Sequence, residues 1–191
     1  MVITPTGIGN TATARYAQEL GLARVLIIDW DIHFAHDDTV YCLSIYSVAD
    51  LYMAKVSSLR AGTTEGGQQV GHGNIPLLHD VFDNAFFAEM NLPGEFYRAA
   101  QSLEVFQQVL EELPFSPDLI LLFAGCDSHK DDCGGGITNW TEPEFEVLTR
   151  SVLDLARRAG CPVLSVQGGG YKLPVTVATT IRHVKVLAQT D

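Results

Sequence analysis

The chain has 191 residues, of which 47% are hydrophobic, and it carries a formal net charge of −11. This length and composition exclude an intrinsically disordered chain and predict a single domain, residues 1–191, that buries a real core. The acidic balance argues against direct nucleic-acid binding, which needs a basic surface, and no apolar stretch is long enough to cross a membrane.

The chain begins with a predicted helix that is followed by two predicted strands. Asn10 or Thr11 could cap a helix that runs to Leu20, with Gly21 as its C′ residue. Two apolar runs of strand length come next, at residues 24–30 and 40–46. The order helix–strand–strand already favours a mixed α/β chain.

The middle of the chain carries weaker signals. Residues 60–73 are rich in Gly, Thr and Gln and predict a long loop, which in a compact domain is often functional. Pro76 has no N–H to donate, so residues 74–78 predict a short edge strand. Apolar side chains recur at steps of three and four over residues 95–113, which predicts an amphipathic helix.

The last part of the chain alternates strands and helices. Its pattern predicts strands over the apolar runs 119–124 and 162–167, and helices over 142–159 and 174–188. Thr141 and Glu144 have the spacing of a capping box, and Gly160 would end the first of these helices. Continuous apolar strands separated by helices predict an α/β fold, with a mostly parallel sheet flanked by helices.

The four cysteines, at positions 42, 126, 133 and 161, form no CxxC pair and no spacing typical of a disulfide framework. Three of them lie in or beside apolar runs, as small buried residues do. Because the cysteines of secreted domains are usually paired, the pattern predicts a reducing compartment, and we expect the protein to be cytoplasmic.

Two carboxylates and a histidine close the first strand, in the order Asp29-Trp30-Asp31-Ile32-His33. Alternation in extended backbone would point Asp29, Asp31 and His33 to one face. An unpaired buried charge is costly, and a bound cation compensates for it directly; carboxylate oxygen and imidazole nitrogen suit Zn²⁺. The simpler alternatives are a surface acid beside a hydrogen-bonded histidine, and an ion pair between Asp29 and a basic side chain.

Two later strands end in comparable residues. One ends in Asp127 and the other in Gly168-Gly169-Gly170-Tyr171. Because the C-terminal ends of parallel strands share one edge, we expect Asp127 and Tyr171 to converge with Asp31 and His33. Taken alone, Asp127 could instead cap a turn, and Tyr171 could be a half-buried aromatic residue after a glycine turn.

Four motifs in this order resemble the histone deacetylase and acetylpolyamine amidohydrolase family of the arginase–deacetylase superfamily. They are Asp-x-Asp-Ile-His at 29–33, Ser44-Ile45, Gly-Cys-Asp-Ser-His at 125–129 and Gly-Gly-Gly-Tyr at 168–171. The resemblance extends over residues 12–190 and implies the arginase-like α/β fold. The family carries a His-His pair well upstream of its first ligands. This chain contains no His-His dipeptide, so we expect it to be the C-terminal portion of the family fold, shortened at the N-terminus.

The resemblance implies a role for each motif. The zinc ligands would be Asp31, His33 and Asp127, which leaves an open coordination position for water and the substrate carbonyl. Tyr171 would donate its hydroxyl to the oxyanion of the tetrahedral intermediate. Asp29 and Ser44, with nearby backbone carbonyls, would hold a structural K⁺ or Na⁺ ion.

The activity implied by the resemblance is zinc-dependent amide hydrolysis that removes an acetyl or acyl group from a lysine-like amine or a polyamine. The alternative is a non-catalytic metal-binding protein or partner-binding fragment, since one histidine of the family's His-His pair is its general base. A homo-oligomer or a partner chain would cover any apolar surface left by an incomplete sheet.

A third hypothesis is a dinucleotide-binding domain. Residues 7–12 fit G-x-G-x-x-A, and Asp29 lies 22 residues beyond Gly7. The fingerprint requires a strand before its glycines, and residues 1–5 hardly form one. This hypothesis also leaves the later motifs without a role.

Overall fold

The computed structural model describes residues 7–34, 39–48, 59–63, 69–81 and 96–189. These ranges contain the helices α1 (Gly7–Glu19), α2 (Ala99–Glu111), α3 (Glu142–Ala159) and α4 (Leu173–Leu187), and the strands β1 (Val25–Asp29), β2 (Tyr41–Ser47), β3 (Leu59–Thr63), β4 (Gln69–Leu77), β5 (Leu119–Gly125) and β6 (Val163–Gly168). None of the helices in these ranges combines the length and the apolar character that a membrane span requires.

The strands form one sheet in the order β3-β4-β2-β1-β5-β6. Strands β4, β2, β1, β5 and β6 are parallel, and β3 runs antiparallel to β4. The α/β class with a mostly parallel sheet is therefore confirmed. β1 lies between β2 and β5, so the loops that follow β1 and β5 leave the same edge of the sheet side by side.

Alternate side chains of the strands enter two cores on opposite faces of the sheet. Leu26 and Ile28 belong to the larger core, which α2 and α3 cover. Val25 and Ile27 belong to the smaller core, which Ala14 and its neighbours on α1 cover. A parallel sheet needs this cover on both faces, because its strands are apolar on both sides.

Helix α3 has the bounds that its sequence predicts. The Thr141 N–H donates to Glu144 Oε2 at 2.7 Å, and Gly160 adopts φ +66° directly after the last turn. Glycine enters this left-handed region without the steric cost that a side chain would add. Helix α2 instead begins at residue 99, because Tyr97 is held in extended form by a hydrogen bond from its N–H to the Pro76 carbonyl.

The long loop predicted over residues 60–73 is wrong for residues 60–63 and 69–73, which lie in strands, and residues 64–68 lie outside the described ranges. β3 pairs with the first part of β4, with Arg60 opposite His72 and Gly62 opposite Val70. The short edge strand predicted over residues 74–78 is the second half of the longer strand β4, which pairs with β2 on one side and, among the described residues, extends beyond β3 on the other. Pro76 is tolerated because β3 pairs no further along β4 than residue 73, so its missing N–H removes no bond to β3.

His183 of α4 is buried against α3 and β6. The Thr149 hydroxyl donates to the Phe145 carbonyl, so it accepts a hydrogen bond from His183 Nδ1 at 2.8 Å. His183 Nε2 is then the acceptor for the Ser165 hydroxyl at 2.7 Å. Burial lowers the pKa of His183 to about 4. A neutral imidazole therefore joins three elements of the fold.

Acidification is expected to destabilise the fold through His183. The unfolded chain binds a proton here near the ordinary pKa of 6.5, whereas the folded chain does so only near pKa 4, so stability is lost as the pH falls through this window. The free energy of unfolding is expected to fall by roughly 3 kcal/mol in all once the pH is below both pKa values. Urea unfolding at several pH values, with His183→Gln as the comparison, measures it. If the free energy of unfolding depended on pH equally in the parent and in His183→Gln, a buried neutral His183 would be contradicted.

Candidate metal centre

Two loops at the C-terminal edge of the sheet bring three of the predicted site residues together. Asp31 and His33 follow β1, and Asp127 follows β5, the strand beside it. One candidate ligand atom from each of the three lies within 4.8 Å of the others. Within the described part of the chain, this is the one group of three or more acidic, histidine or cysteine residues with that geometry.

Local hydrogen bonds shape the loop after β1. The Asp31 N–H donates to Asp29 Oδ1 at 2.9 Å, and the His33 N–H donates to Asp31 Oδ1 at 2.9 Å. β1 itself ends at Asp29. The prediction that strand alternation orients these side chains is therefore wrong for Asp31 and His33, whose direction comes from two successive turns closed by aspartate side chains.

The loop after β5 is bonded to the loop after β1. Asp127 Oδ1 accepts a hydrogen bond from the Ile32 N–H at 3.2 Å. The Asp31 and Asp127 side chains are buried, and the second oxygen of each carboxylate, Oδ2, accepts no hydrogen bond from the residues that the structure describes. Two buried carboxylate oxygens without donors are costly unless a cation lies beside them.

His33 lies at the mouth of this acidic pair, with 39% of its side chain exposed. Its Nδ1 is 2.6 Å from Asp31 Oδ1 and 3.3 Å from Asp127 Oδ2. Close contact with the carboxylates of Asp127 and Asp31 raises the pKa of His33 to about 10. Burial, opposed by the nearby His33 imidazole, raises the pKa of Asp127. A proton and a metal ion would compete for the same imidazole lone pair.

This set of donors fits Zn²⁺. Two carboxylates and one imidazole make three protein ligands, the number found at catalytic zinc sites that keep an open coordination position. The exposed side of His33 leaves one face of the group accessible from solvent. The buried oxygens without hydrogen-bond donors are the atoms that a cation would neutralise.

Gly169 brings the loop after β6 against the same carboxylates. A Cβ atom at Gly169 would lie under 3.0 Å from Asp31 Oδ2 and from the Asp127 carboxylate, a separation that real Cβ atoms essentially never show. A Cβ atom at Gly125 would meet the Asp31 backbone equally closely. Glycine at both positions is what allows three loops to converge on the two acids.

Tyr171 follows Gly169 by two residues and is 69% exposed. Its hydroxyl is not hydrogen-bonded to Asp31, His33 or Asp127 within the described structure. Desolvation, and then the negative charges of Asp127 and Asp31, raise the pKa of its phenol. The phenol therefore stays protonated and can act as a hydrogen-bond donor.

Asp132 ties the loop after β6 to the loop after β5. Its Oδ2 accepts hydrogen bonds from the Tyr171 N–H at 2.9 Å and from the Lys172 N–H at 2.8 Å. Burial opposes ionisation, but these bonds prevail and lower the pKa of Asp132. Asp132 was not predicted as a site residue. Its position in the sequence, five residues after the predicted ligand Asp127, could have indicated that it lies in the same loop of the site.

A second group of polar side chains is buried behind the first. Asp29 on β1 and Ser44 on β2 are register partners, and both are buried. Asn74 on β4 is the register partner of Ser44, and neither atom of its side-chain amide has a hydrogen-bond partner in the described structure. Burial, followed by the charge of Asp31, raises the pKa of Asp29. Asn74 was not predicted, since its segment indicated an edge strand.

The dinucleotide-binding hypothesis finds no support, and the loop after β5 places one further histidine. Gly7 is the first residue of α1 and Gly9 lies in its first turn, so the glycines of the predicted dinucleotide fingerprint form no turn before the helix. Residues 1–5 lie outside the described ranges. His129, the last residue of the motif at 125–129, is buried. Its Nδ1 accepts a hydrogen bond from the Asp131 N–H, and its ring stacks on Phe145.

Comparisons with known proteins agree on one family. A family model described as histone deacetylase domain matches residues 10–187. The chain is 31% identical over 186 residues to histone deacetylase 10, chloroplastic, of Oryza sativa subsp. japonica, across 91% of this chain and 38% of that protein. It is 30% identical over 173 residues to histone deacetylase 6 of Caenorhabditis elegans, across 84% of this chain and 16% of that protein.

The fold has a match among solved structures. The crystal structure of the HDA15 HD domain superposes with a TM-score of 0.62 at 24% identity, which supports the fold alone. The match covers 95% of this chain and 49% of that one. The chain thus spans about half of the solved domain and well under half of the two curated relatives.

Proposed function

The chain belongs to the histone deacetylase family. We propose that it is a zinc-dependent amidohydrolase that removes an acetyl or other acyl group from a lysine-like amine or a polyamine. The observation that carries the proposal is the pair of buried carboxylate oxygens without donors, on Asp31 and Asp127, beside His33 Nδ1. Zinc would be held by Asp31, His33 and Asp127.

The residues of the chain would orient the reacting groups. When bound, zinc would supply Lewis-acid polarisation of the amide carbonyl and of water. Tyr171 would donate its phenolic hydrogen to the oxyanion that develops on the carbonyl oxygen. Asp132 would hold the Tyr171 backbone in place, and Ile32, whose N–H donates to Asp127 Oδ1, would fix that carboxylate.

The buried polar group behind the metal centre would hold a monovalent cation. Asp29 and Ser44 are adjacent on neighbouring strands, and Asp29 also accepts the Asp31 N–H. A K⁺ or Na⁺ ion there would offset the buried charge of Asp29 and so stabilise the turn that carries Asp31.

We also propose the setting in which the protein works. Residues 1–191 would be one deacetylase-like domain in the cytoplasm; the four cysteines, all within the described residues, form no disulfide with one another. The net charge of −11 would favour cationic substrates such as lysine-rich peptides or polyamines.

A second candidate function is metal binding without catalysis. It is favoured by the absence of a His-His dipeptide from the sequence, because a positioned general base typically contributes about a hundred- to ten-thousandfold to the rate. In this alternative the same site would bind an acyl-amine ligand without cleaving it.

Tyr171→Phe separates the two functions. For a hydrolase, we expect turnover of an acetyl-lysine peptide to fall at least about a hundredfold, because the oxyanion loses a hydrogen-bond donor. The zinc content should not change, since the phenol is not a ligand. Tyr16→Phe, at another exposed tyrosine, is the control. A zinc-loaded parent chain without turnover would favour the non-catalytic alternative.

A further inference from the structure

One buried amide group on β4 has no hydrogen-bond partner. The side chain of Asn74 is buried, and neither its Oδ1 nor its Nδ2 atom is hydrogen-bonded within the described structure. A buried amide without partners is costly, so an amide of this kind in a folded protein requires an explanation. A group from outside the described structure is therefore expected to contact Asn74.

Asn74 belongs to a row of three polar residues that crosses the sheet. Asp29 on β1 is the register partner of Ser44 on β2, and Ser44 is the register partner of Asn74 on β4. Register partners project to the same face of a sheet, and neighbouring strands are about 4.8 Å apart. Ser44 therefore lies in the middle of the row, one strand spacing from Asp29 and one from Asn74.

The polar row follows directly on the smaller core. Ile27 precedes Asp29 by two residues, Cys42 precedes Ser44 by two, and both Ile27 and Cys42 belong to that core. Alternation along a strand places residues two apart on the same face, so the row continues this apolar face towards the C-terminal edge of the sheet. Its three side chains are between 0% and 2% exposed. A row of polar groups at the end of an apolar core, shielded from solvent, indicates a bound polar ligand.

The charge of the row identifies the class of ligand. Asp29 is its one acidic member, and among the residues that the structure describes every ion pair of an arginine is made with another acid. Ser44 and Asn74 contribute neutral oxygens. One carboxylate with neutral oxygens balances a single positive charge, whereas divalent ions such as Ca²⁺ are held more tightly as carboxylates are added. The row therefore suits a monovalent cation.

We propose that Asn74 Oδ1 is a ligand of the monovalent cation proposed for Asp29 and Ser44, and that its lack of charge makes the site select monovalent over divalent ions. The inference rests on that proposed cation site, but it depends neither on zinc nor on hydrolysis. With Asn74 as a ligand, one ion joins β1, β2 and β4 behind the turn that carries Asp31. The ion satisfies the amide oxygen, and water bound to the ion can accept a hydrogen bond from Nδ2.

Asn74→Leu tests the role of the amide oxygen, because leucine has nearly the same size and no oxygen. Thermal unfolding is measured over a range of KCl or NaCl concentrations, with choline chloride added to keep the ionic strength constant. K⁺ or Na⁺ should raise the melting temperature of the parent, and the concentration dependence of this rise gives an apparent affinity. In Asn74→Leu we expect that affinity to be at least about tenfold weaker. The variant should fold without the ion, because it buries no unsatisfied amide.

Asn74→Asp tests the role of charge at the same position. A second carboxylate in the row should raise the apparent affinity for Ca²⁺, measured by the same unfolding experiment in CaCl₂, at least about tenfold over that of the parent. Gln107→Glu is the matched control, since it adds the same charge at an exposed position on α2. It should leave the affinities for K⁺ and for Ca²⁺ at the values of the parent.

The outcomes separate this inference from the proposals on which it builds. Equal K⁺ affinities of the parent and of Asn74→Leu would overturn the role of Asn74 and leave the cation site at Asp29 and Ser44 intact. A folded Asn74→Asp protein with the Ca²⁺ affinity of the parent would do the same. A parent chain that neither K⁺ nor Na⁺ stabilises would overturn the role of Asn74 together with the cation site. Zinc content and turnover are measured separately and decide the hydrolase proposal.

Discussion

Replacing Asp127 by alanine is expected to remove zinc from the chain. The parent should retain about one zinc per chain, and the variant less than about a tenth of that, because one of the three proposed ligands is lost. Elemental analysis of the purified proteins measures the ratio. Asp131→Ala, an exposed acid in the same loop, should keep its zinc.

Asp127→Asn adds a second test, because it removes the negative charge of the side chain and keeps its size. The amide retains an oxygen that can accept the Ile32 N–H, and its nitrogen can donate to the unpaired oxygen of Asp31. In the presence of a chelator we expect the variant to be more stable than the parent by about 1–2 kcal/mol, since a buried charge is removed. Zinc retained at parental levels in this variant would refute the ligand assignment.

Replacing Gly169 by alanine is expected to weaken zinc binding at the same site through the loop after β6. The added methyl group would occupy space held by the Asp31 and Asp127 carboxylates, and neither buried side chain can rotate away freely. We expect zinc affinity to fall at least about tenfold, and the free energy of unfolding to fall by about 1–3 kcal/mol. Zinc titration and urea unfolding measure the two effects.

Gly21→Ala is the control for this substitution. Gly21 has φ +94° but open space around its Cβ position, so alanine there costs about 1 kcal/mol of backbone strain without touching the metal centre. Its zinc affinity should equal that of the parent. If Gly169→Ala behaved like Gly21→Ala in both measurements, the close approach of the glycine loop to the carboxylates would be irrelevant to metal binding.

The part of the fold that sequence predicts well is the part with strong local signals. The bounds of α3 follow from Thr141, Glu144 and Gly160, which act on the backbone within one turn. The central strands follow from continuous apolar runs. The position of Asp127 beside Asp31 follows from a general rule for parallel sheets, that their C-terminal ends form one edge.

The errors concern features that depend on distant partners. The β3–β4 pair escaped prediction because glycine-rich strands gain their stability from backbone pairing, which leaves no side-chain pattern. Asn74 becomes notable only when β4 lies beside β2, and Asp132 only when the loop after β6 passes over it. His183 looks like a solitary histidine until α3 and β6 supply its two hydroxyl partners.

The strand order has a consequence for how the chain matures during synthesis. β1 and β5 are neighbours, yet Ile32 and Asp127, which join their loops, are 95 residues apart. When the ribosome has released β1 and β2, one edge of β1 stays unpaired until β5 has been synthesised. Contacts between residues so far apart in the sequence form slowly. The two halves of the candidate metal centre are therefore assembled only after residue 127 has left the ribosome, and metal capture would report that the middle of the sheet has closed.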